Sequence, residues 1–172
     1  MTETPTEPMS QALIRAIEPK DNAAVKTLVL DTLAEFGLFG DGFAGVDAEL
    51  EDMHGAYDNA LSAYYVVELN GQVAGVGGYA PLLGTEPGTV VELRKMYLTP
   101  ALRGQGIGRQ LIERCLQEAQ ALGYATMYLE TVPGMQAAQA LYQKYGFTHT
   151  EQRMGDTGHC NCSVTMARSL RD

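Results

Sequence analysis

The chain contains no run of about 18 consecutive apolar residues, so its length of apolar sequence predicts no membrane-spanning helix. Cysteine is scarce: Cys115, Cys160 and Cys162 are an odd number without framework spacing. That excludes a disulfide scaffold and points to reduced thiols in a cytoplasmic protein. Met1–Gln11 is rich in Thr, Pro and Glu and has neither a basic start nor an apolar stretch. It therefore reads as a disordered lead-in and not as a signal peptide. Basic residues are also few, with 12 Lys and Arg against 21 Asp and Glu, a formal net charge of −9. None occurs from Thr27 through Leu93. A broad basic face for nucleic acid is thereby excluded. What basic charge there is arrives together, in Arg94, Lys95, Arg103, Arg109 and Arg114. An acidic front half suits a cationic partner, and a basic cluster suits phosphate.

With 172 residues, 45% of them hydrophobic, the chain can bury one sizeable core, and 12–172 is expected to be a single domain. Leu13–Ile17 alternates as a strand. Asp21 caps a helix reaching Phe36, stopped by Gly37. A glycine-rich loop over Leu38–Gly45 and a short helix from Asp47 to about Tyr57 follow. Ala63–Leu69 and Gln72–Pro81 read as strands joined at Asn70-Gly71, a strong hairpin signal. Val90–Leu98 is the next strand. Ile107, Leu111, Ile112, Cys115, Leu116, Ala119 and Leu122 recur at helical spacing, with Gly123 as the stop. Ala125–Thr131 is a strand, Met135–Tyr145 a helix, and Phe147–Gln152 and Cys162–Ala167 the last strands. The order predicts an α+β fold: a central mixed, mostly antiparallel sheet flanked by helices.

Arg103-Gly104-Gln105-Gly106-Ile107-Gly108-Arg109 lies between a strand and a helix. Helix N-termini offer unpaired N–H groups to anions, and glycines let the backbone approach a phosphate closely. No Lys-Ser or Lys-Thr follows, so the loop is not a P-loop. Arg109 stands where a dinucleotide fingerprint needs its third glycine. What remains is the pattern [RQ]-x-x-G-x-[GA], met by Arg103, Gly106 and Gly108.

With Glu92-Leu93-Arg94-Lys95-Met96-Tyr97-Leu98 before the loop and Ala140-Leu141-Tyr142-Gln143-Lys144-Tyr145-Gly146-Phe147 after it, the sequence resembles the GCN5-related N-acetyltransferase (GNAT) superfamily. The resemblance implies a GNAT-like acyl-CoA N-acyltransferase fold with acetyl-CoA as co-substrate. It implies that the backbone of Met96, Tyr97 and Leu98 pairs with the pantetheine arm. The amides of Gly104, Gln105, Gly106, Ile107, Gly108 and Arg109, beside Arg103, would hold the pyrophosphate. Tyr142 matches a general acid near the cofactor sulfur and a cofactor contact. Glu130 stands where related protein N-terminal acetyltransferases carry a general base. Those relatives have an asparagine seven residues before the tyrosine, a position held here by Met135. Homodimerisation is a further family expectation.

Acetyl transfer to an amine needs a base for the ammonium proton, a donor for the thioester oxygen and a proton for the departing thiolate. Glu92 and Glu130 compete as the base. In strict alternation Glu92 shares a strand face with Arg94, Met96 and Leu98, opposite Leu93, Lys95 and Tyr97. His159, in a glycine-bracketed turn, is a candidate acceptor-pocket residue paired with Glu92 or Glu130. Strand geometry would turn Cys160 and Cys162 away from it. His159, Cys160 and Cys162 supply too few spaced ligands for zinc, and no metal is expected. The Glu35–Asp52 loop should cover the acceptor side. The expected activity is N-acetylation of a primary amine on a small, cationic acceptor by direct attack in a ternary complex. The alternatives are protein N-terminal acetylation of a peptide amine and a non-catalytic acyl-CoA-binding sensor or interaction module.

Overall fold

A computed structural model describes residues 12–171; the expected disordered lead-in, Met1–Gln11, lies outside them. Seven strands form one sheet: β1 (Leu13–Ala16), β2 (Ala63–Leu69), β3 (Gln72–Pro81), β4 (Val90–Leu98), β5 (Thr126–Thr131), β6 (Thr148–His149) and β7 (Val164–Ser169). Their order is β1-β2-β3-β4-β5-β7-β6. Only β4 and β5 are parallel, so the sheet is mixed and mostly antiparallel. Asn70 and Gly71 both take positive φ, 54° and 75°, the backbone a tight two-residue hairpin turn demands.

Helices cover both faces. α1 (Asn22–Glu35) and α2 (Met53–Tyr57) bury Val25, Leu28, Val29, Leu33, Met53 and Tyr57 against one face. α3 (Ile107–Ala121) and α4 (Gln136–Lys144) pack Leu111, Ile112, Cys115, Ala119 and Tyr142 against the other. The β4–α3–β5 unit places the glycine loop at the open end of the parallel pair.

Three expectations are corrected. The second helix is broken: Ala48–Glu51 is a tight 3-10 turn, and α2 begins only after Asp52. Asp52 has non-helical backbone (φ −152°, ψ 77°), and its carboxylate accepts the Gly55 N–H at 2.9 Å, so it caps a fresh helix instead of continuing one. The strand expected over Phe147–Gln152 shrinks to two residues. After the Thr150 N–H bonds to Thr165 at 2.9 Å, the chain leaves the sheet edge and carries Arg153 and Thr157 to Glu130. Cys160 and Cys162 then lie in a turn closed by the Cys162 N–H on the His159 carbonyl at 3.0 Å, and β7 starts at Val164. Strand alternation therefore does not govern where they point.

Candidate active site

The site is built on an irregularity in β4. Val76 pairs with Tyr97 and Gly78 with Arg94, so β4 has one residue more than β3 across this step. Lys95 takes φ 42° to accommodate it. This is a β-bulge. It overturns the expected alternation: Glu92, Arg94, Lys95 and Tyr97 meet the α1 side, while Leu93, Met96 and Leu98 pack on the α3 side. Tyr64 holds the bulge, its buried hydroxyl donating to the Lys95 carbonyl at 2.8 Å. Gly78 is what lets β2 come close enough, because a Cβ there would lie 2.2 Å from the Ala63 carbonyl oxygen.

The bulge feeds a charged network. Lys95 Nζ donates to Asp47 at 2.6 Å and to Glu49. Arg94 Nε donates to Glu92 Oε1 at 2.6 Å, and its other nitrogens reach Glu49 and the Pro81 carbonyl. Glu92 is 4% exposed. Burial pushes its carboxyl up, and the opposing pull of Arg94 is smaller. On β5, Glu130 accepts from Tyr128 at 2.6 Å, Arg153 at 2.6 Å and Thr157. His159 Nε2 sits 2.8 and 3.0 Å from the two Asp47 oxygens, while its Nδ1 is 3.9 Å from Glu130 Oε1. Ligating atoms of Glu92, Glu130 and His159 all fall within 4.8 Å of one another. The three candidates from sequence do converge, but the close partner of His159 is Asp47. Its carboxyl is opposed by burial, yet His159 and Lys95 together hold it below its ordinary value. From sequence Asp47 is only the start of a short helix, within the Glu35–Asp52 segment expected on the acceptor side.

The Glu35–Asp52 segment reaches this cavity through Leu38, Phe43 and Ala44, while several of its acidic residues are engaged elsewhere. Glu35 does not face this site; it accepts Arg103 Nη1 and Nη2 at 3.0 and 2.5 Å. Glu51 pairs with Lys26 at 2.5 Å, and Asp52 caps α2. Asp47 and Glu49 are spoken for by Lys95, His159 and Arg94.

β4 and β5 pair only from Val90↔Thr126 to Glu92↔Tyr128. Beyond that the strands part, and a cavity of about 50 Å³ lies between them. Glu92, Met96, Tyr97, Glu130, Met135, Tyr142 and His159 line it, with Leu38 and Phe43 closing the α1 side. Tyr142 packs edge-on to Phe147 at 5.9 Å, and burial pushes its hydroxyl up to about 12. Among the described residues the cavity's neighbours also include Cys162, whose thiol burial raises to about 11. A larger open groove of about 860 Å³ along the outer side of α1, lined by Arg15, Asp31, Gln72 and Arg103, shares no residue with it.

At the mouth of the gap lies the glycine loop. Gly104 and Gly106 have φ 77° and 79°, and Gly106 is the N-cap of α3. No side chain caps that helix, and its first turn holds no acidic residue. Its N–H groups and dipole therefore favour an anion. Gly108 serves packing: a Cβ there would come within 3.2 Å of Leu141. Arg109 reaches within 3.9 Å of where a Gly106 side chain would begin. Arg103 is turned toward Glu35 and also donates Nε–H to the Leu98 carbonyl at 3.1 Å. Gln105 bonds the Ala101 carbonyl at 2.6 Å.

A sheet split between two parallel strands, with a glycine-capped helix at the split, defines an acyl-CoA N-acyltransferase fold. The profile of the Acetyltransferase (GNAT) family matches residues 30–147, more than half of the chain, and the chain belongs to that family. It is 38% identical over 159 residues to the uncharacterized N-acetyltransferase YjgM of Escherichia coli, covering 92% of this chain and 95% of that one. Among solved structures, a GNAT-family acetyltransferase from Staphylococcus aureus superposes with a TM-score of 0.77 at 18% identity, covering 94% of this chain and 100% of that one. The protein yncA of Salmonella typhimurium, solved with its cofactor acetyl-CoA, gives 0.71 at 23% identity over 95% of this chain and 96% of that one. Among the described residues no helix is long and apolar enough to cross a membrane.

Proposed function

We propose that this chain transfers the acetyl group of acetyl-CoA to the primary amine of a small acceptor that arrives as a cation, by direct attack in a ternary complex. The observation that carries the reading is the placement of a buried, burial-raised Glu92 and the Tyr142 hydroxyl around one cavity in the β4–β5 split. The α3 N-terminus and the amides from Gly104 to Arg109 would take the pyrophosphate. The β4 backbone from Met96 to Leu98 would take the pantetheine arm, as an added strand pairs with a sheet edge.

Glu92 is the better base of the two glutamates. Its Oε2 has no bonding partner among the described residues, whereas both oxygens of Glu130 accept hydrogen bonds. A carboxyl raised by burial is a stronger proton acceptor than one in water. The free amine then attacks the thioester carbon, and a β4 backbone N–H steadies the developing oxyanion. Tyr142, protonated at neutral pH, gives its proton to the departing thiolate and is reprotonated by the proton that the attacking nitrogen sheds as the amide forms.

Four carboxylates (Asp47, Glu49, Glu92, Glu130) face three fixed cations (Arg94, Lys95, Arg153). These seven groups together carry one net negative charge. One ammonium balances it, which favours a monoamine acceptor over a polyamine. A thiol-release assay with acetyl-CoA against monoamines, polyamines, amino acids and peptides tests this. Turnover of small monoamines supports it. Turnover confined to peptides moves the assignment to N-terminal acetylation, and acetyl-CoA binding without turnover moves it to a sensor.

A further inference from the structure

Resting on Glu92 as the base, a second question arises: where its proton goes. Glu92 is 4% exposed, so water does not reach it freely. A base must be deprotonated again before the next turnover. Arg94, bonded to Glu92, cannot accept a proton. Glu130 has both oxygens engaged by Tyr128, Arg153 and Thr157. Lys95 donates its ammonium hydrogens to Asp47 and Glu49. His159 remains, and its two ring nitrogens can take up one proton and release another.

Its geometry fits that task. Asp47 presents both oxygens to Nε2, so Nε2 carries the hydrogen and Nδ1 keeps its lone pair. Nδ1 lies 3.9 Å from Glu130 Oε1, and one ring nitrogen falls within 4.8 Å of oxygens of both Glu92 and Glu130. The side chain is 14% exposed, so the ring bridges the buried carboxyl and the surface. The turn that holds it is tied down: the His159 N–H bonds Thr157 at 3.1 Å and its carbonyl accepts from Arg153 at 2.9 Å. Asn161 fastens the same turn to the Asp41 and Gly42 carbonyls at 2.9 and 3.1 Å.

We infer that Asp47 and His159 form the proton outlet of this site, with Asp47 the positioning residue that fixes the imidazole tautomer. After the amine's proton has reached Glu92, the carboxylic acid O–H breaks and the proton passes through one bridging water to Nδ1. Glu92 is again a carboxylate and His159 an imidazolium, its Nε2–H still on Asp47. Loss of the Nδ1 proton to solvent restores neutral His159. The groups that bear on its charge are Asp47 from the loop before α2, Lys95 and Glu92 from β4, Glu130 from β5, and Arg153 and Cys162 from its own connection.

The test uses the full chain with acetyl-CoA and the fastest primary amine from the panel above, together with ring-nitrogen NMR of His159. Wild type should show the Nε2–H tautomer; Asp47→Asn should lose that preference, and Asp47→Glu should keep it. His159→Ala should lower kcat about 100-fold, leave KM for acetyl-CoA unchanged, and regain rate as free imidazole is added. An Nδ1–H tautomer in the wild type overturns the inference. So does a His159→Ala variant, folded by circular dichroism, whose kcat is unchanged or does not respond to imidazole. If no amine is acetylated, the functional reading fails by itself, and the tautomer measurement still decides the role of Asp47.

Discussion

The Glu92 carboxylate accepts the Arg94 Nε–H at 2.6 Å from a position two residues away on the same strand, and both side chains meet the α1 side. This pair leaves the second Glu92 oxygen without a bonding partner among the described residues, on a residue that lines the split. It also divides what burial does from what charge does: desolvation raises the carboxyl more than the guanidinium lowers it.

Glu92→Gln removes the base while its amide oxygen can still accept the Arg94 Nε–H. We expect kcat/KM for the amine to fall by about 10²–10⁴ while acetyl-CoA affinity stays within about twofold. In the wild type the base must be ionised to act. Activity should be lost as pH falls, with the acid limb of kcat/KM above the ordinary carboxyl value of about 4.3, because the Glu92 value is raised. A pH–rate profile of wild type checks the limb.

Tyr142→Phe removes one oxygen and keeps the ring that packs on Phe147. Thermal unfolding should move by less than about 1 kcal/mol, while kcat falls by about 10-fold or more. The hydroxyl stays protonated until about pH 12, so any alkaline limb below that belongs to another group.

Lys95→Met strips the shared cation from Asp47 and Glu49. The Lys95 side chain is 2% exposed and both carboxylates are largely covered, so we expect a loss of about 3 kcal/mol near neutral pH. Asp47 is held below its ordinary value. A carboxyl lowered by folding stabilises above its unfolded value, and that stability disappears as pH falls through the folded one. The deficit of Lys95→Met should accordingly narrow as pH drops below about 4. Denaturant melts at two pH values measure it.

Gly106→Ala places a Cβ at φ 79°, a backbone that side chains disfavour by about 1 kcal/mol or more. Space itself is open there, the nearest atom being Arg109 at 3.9 Å. The variant should fold with slightly lower stability and show a raised KM for acetyl-CoA. Calorimetric titration with CoA reads the same loss without turnover.

Much of the fold was legible because its signals are local. β2, β3 and β4 have the bounds read from the sequence, with the Asn70-Gly71 turn between the first two. The bulge was not legible, because Lys95 takes a positive φ without being glycine or asparagine, and one extra residue reverses every facing after it. The helix break at Asp52 depends on a side chain choosing to cap Gly55, which competes on nearly equal terms with continuing the turn. At the site, Glu92, Glu130, Tyr142 and His159 were readable as residue types with a task. Asp47 was hidden because its role is a contact across 112 residues to His159, and no local pattern encodes such a contact.

The central claim is that a buried Glu92 activates an amine for attack on acetyl-CoA. The most direct measurement is amine-dependent thiol release from acetyl-CoA by wild type and Glu92→Gln, with binding of CoA to both measured in parallel. The account predicts release by wild type with a small monoamine and a fall of about 10²-fold or more in the variant, at equal CoA affinity. Equal rates in the two proteins, or CoA binding with no amine-dependent release by wild type, would contradict it.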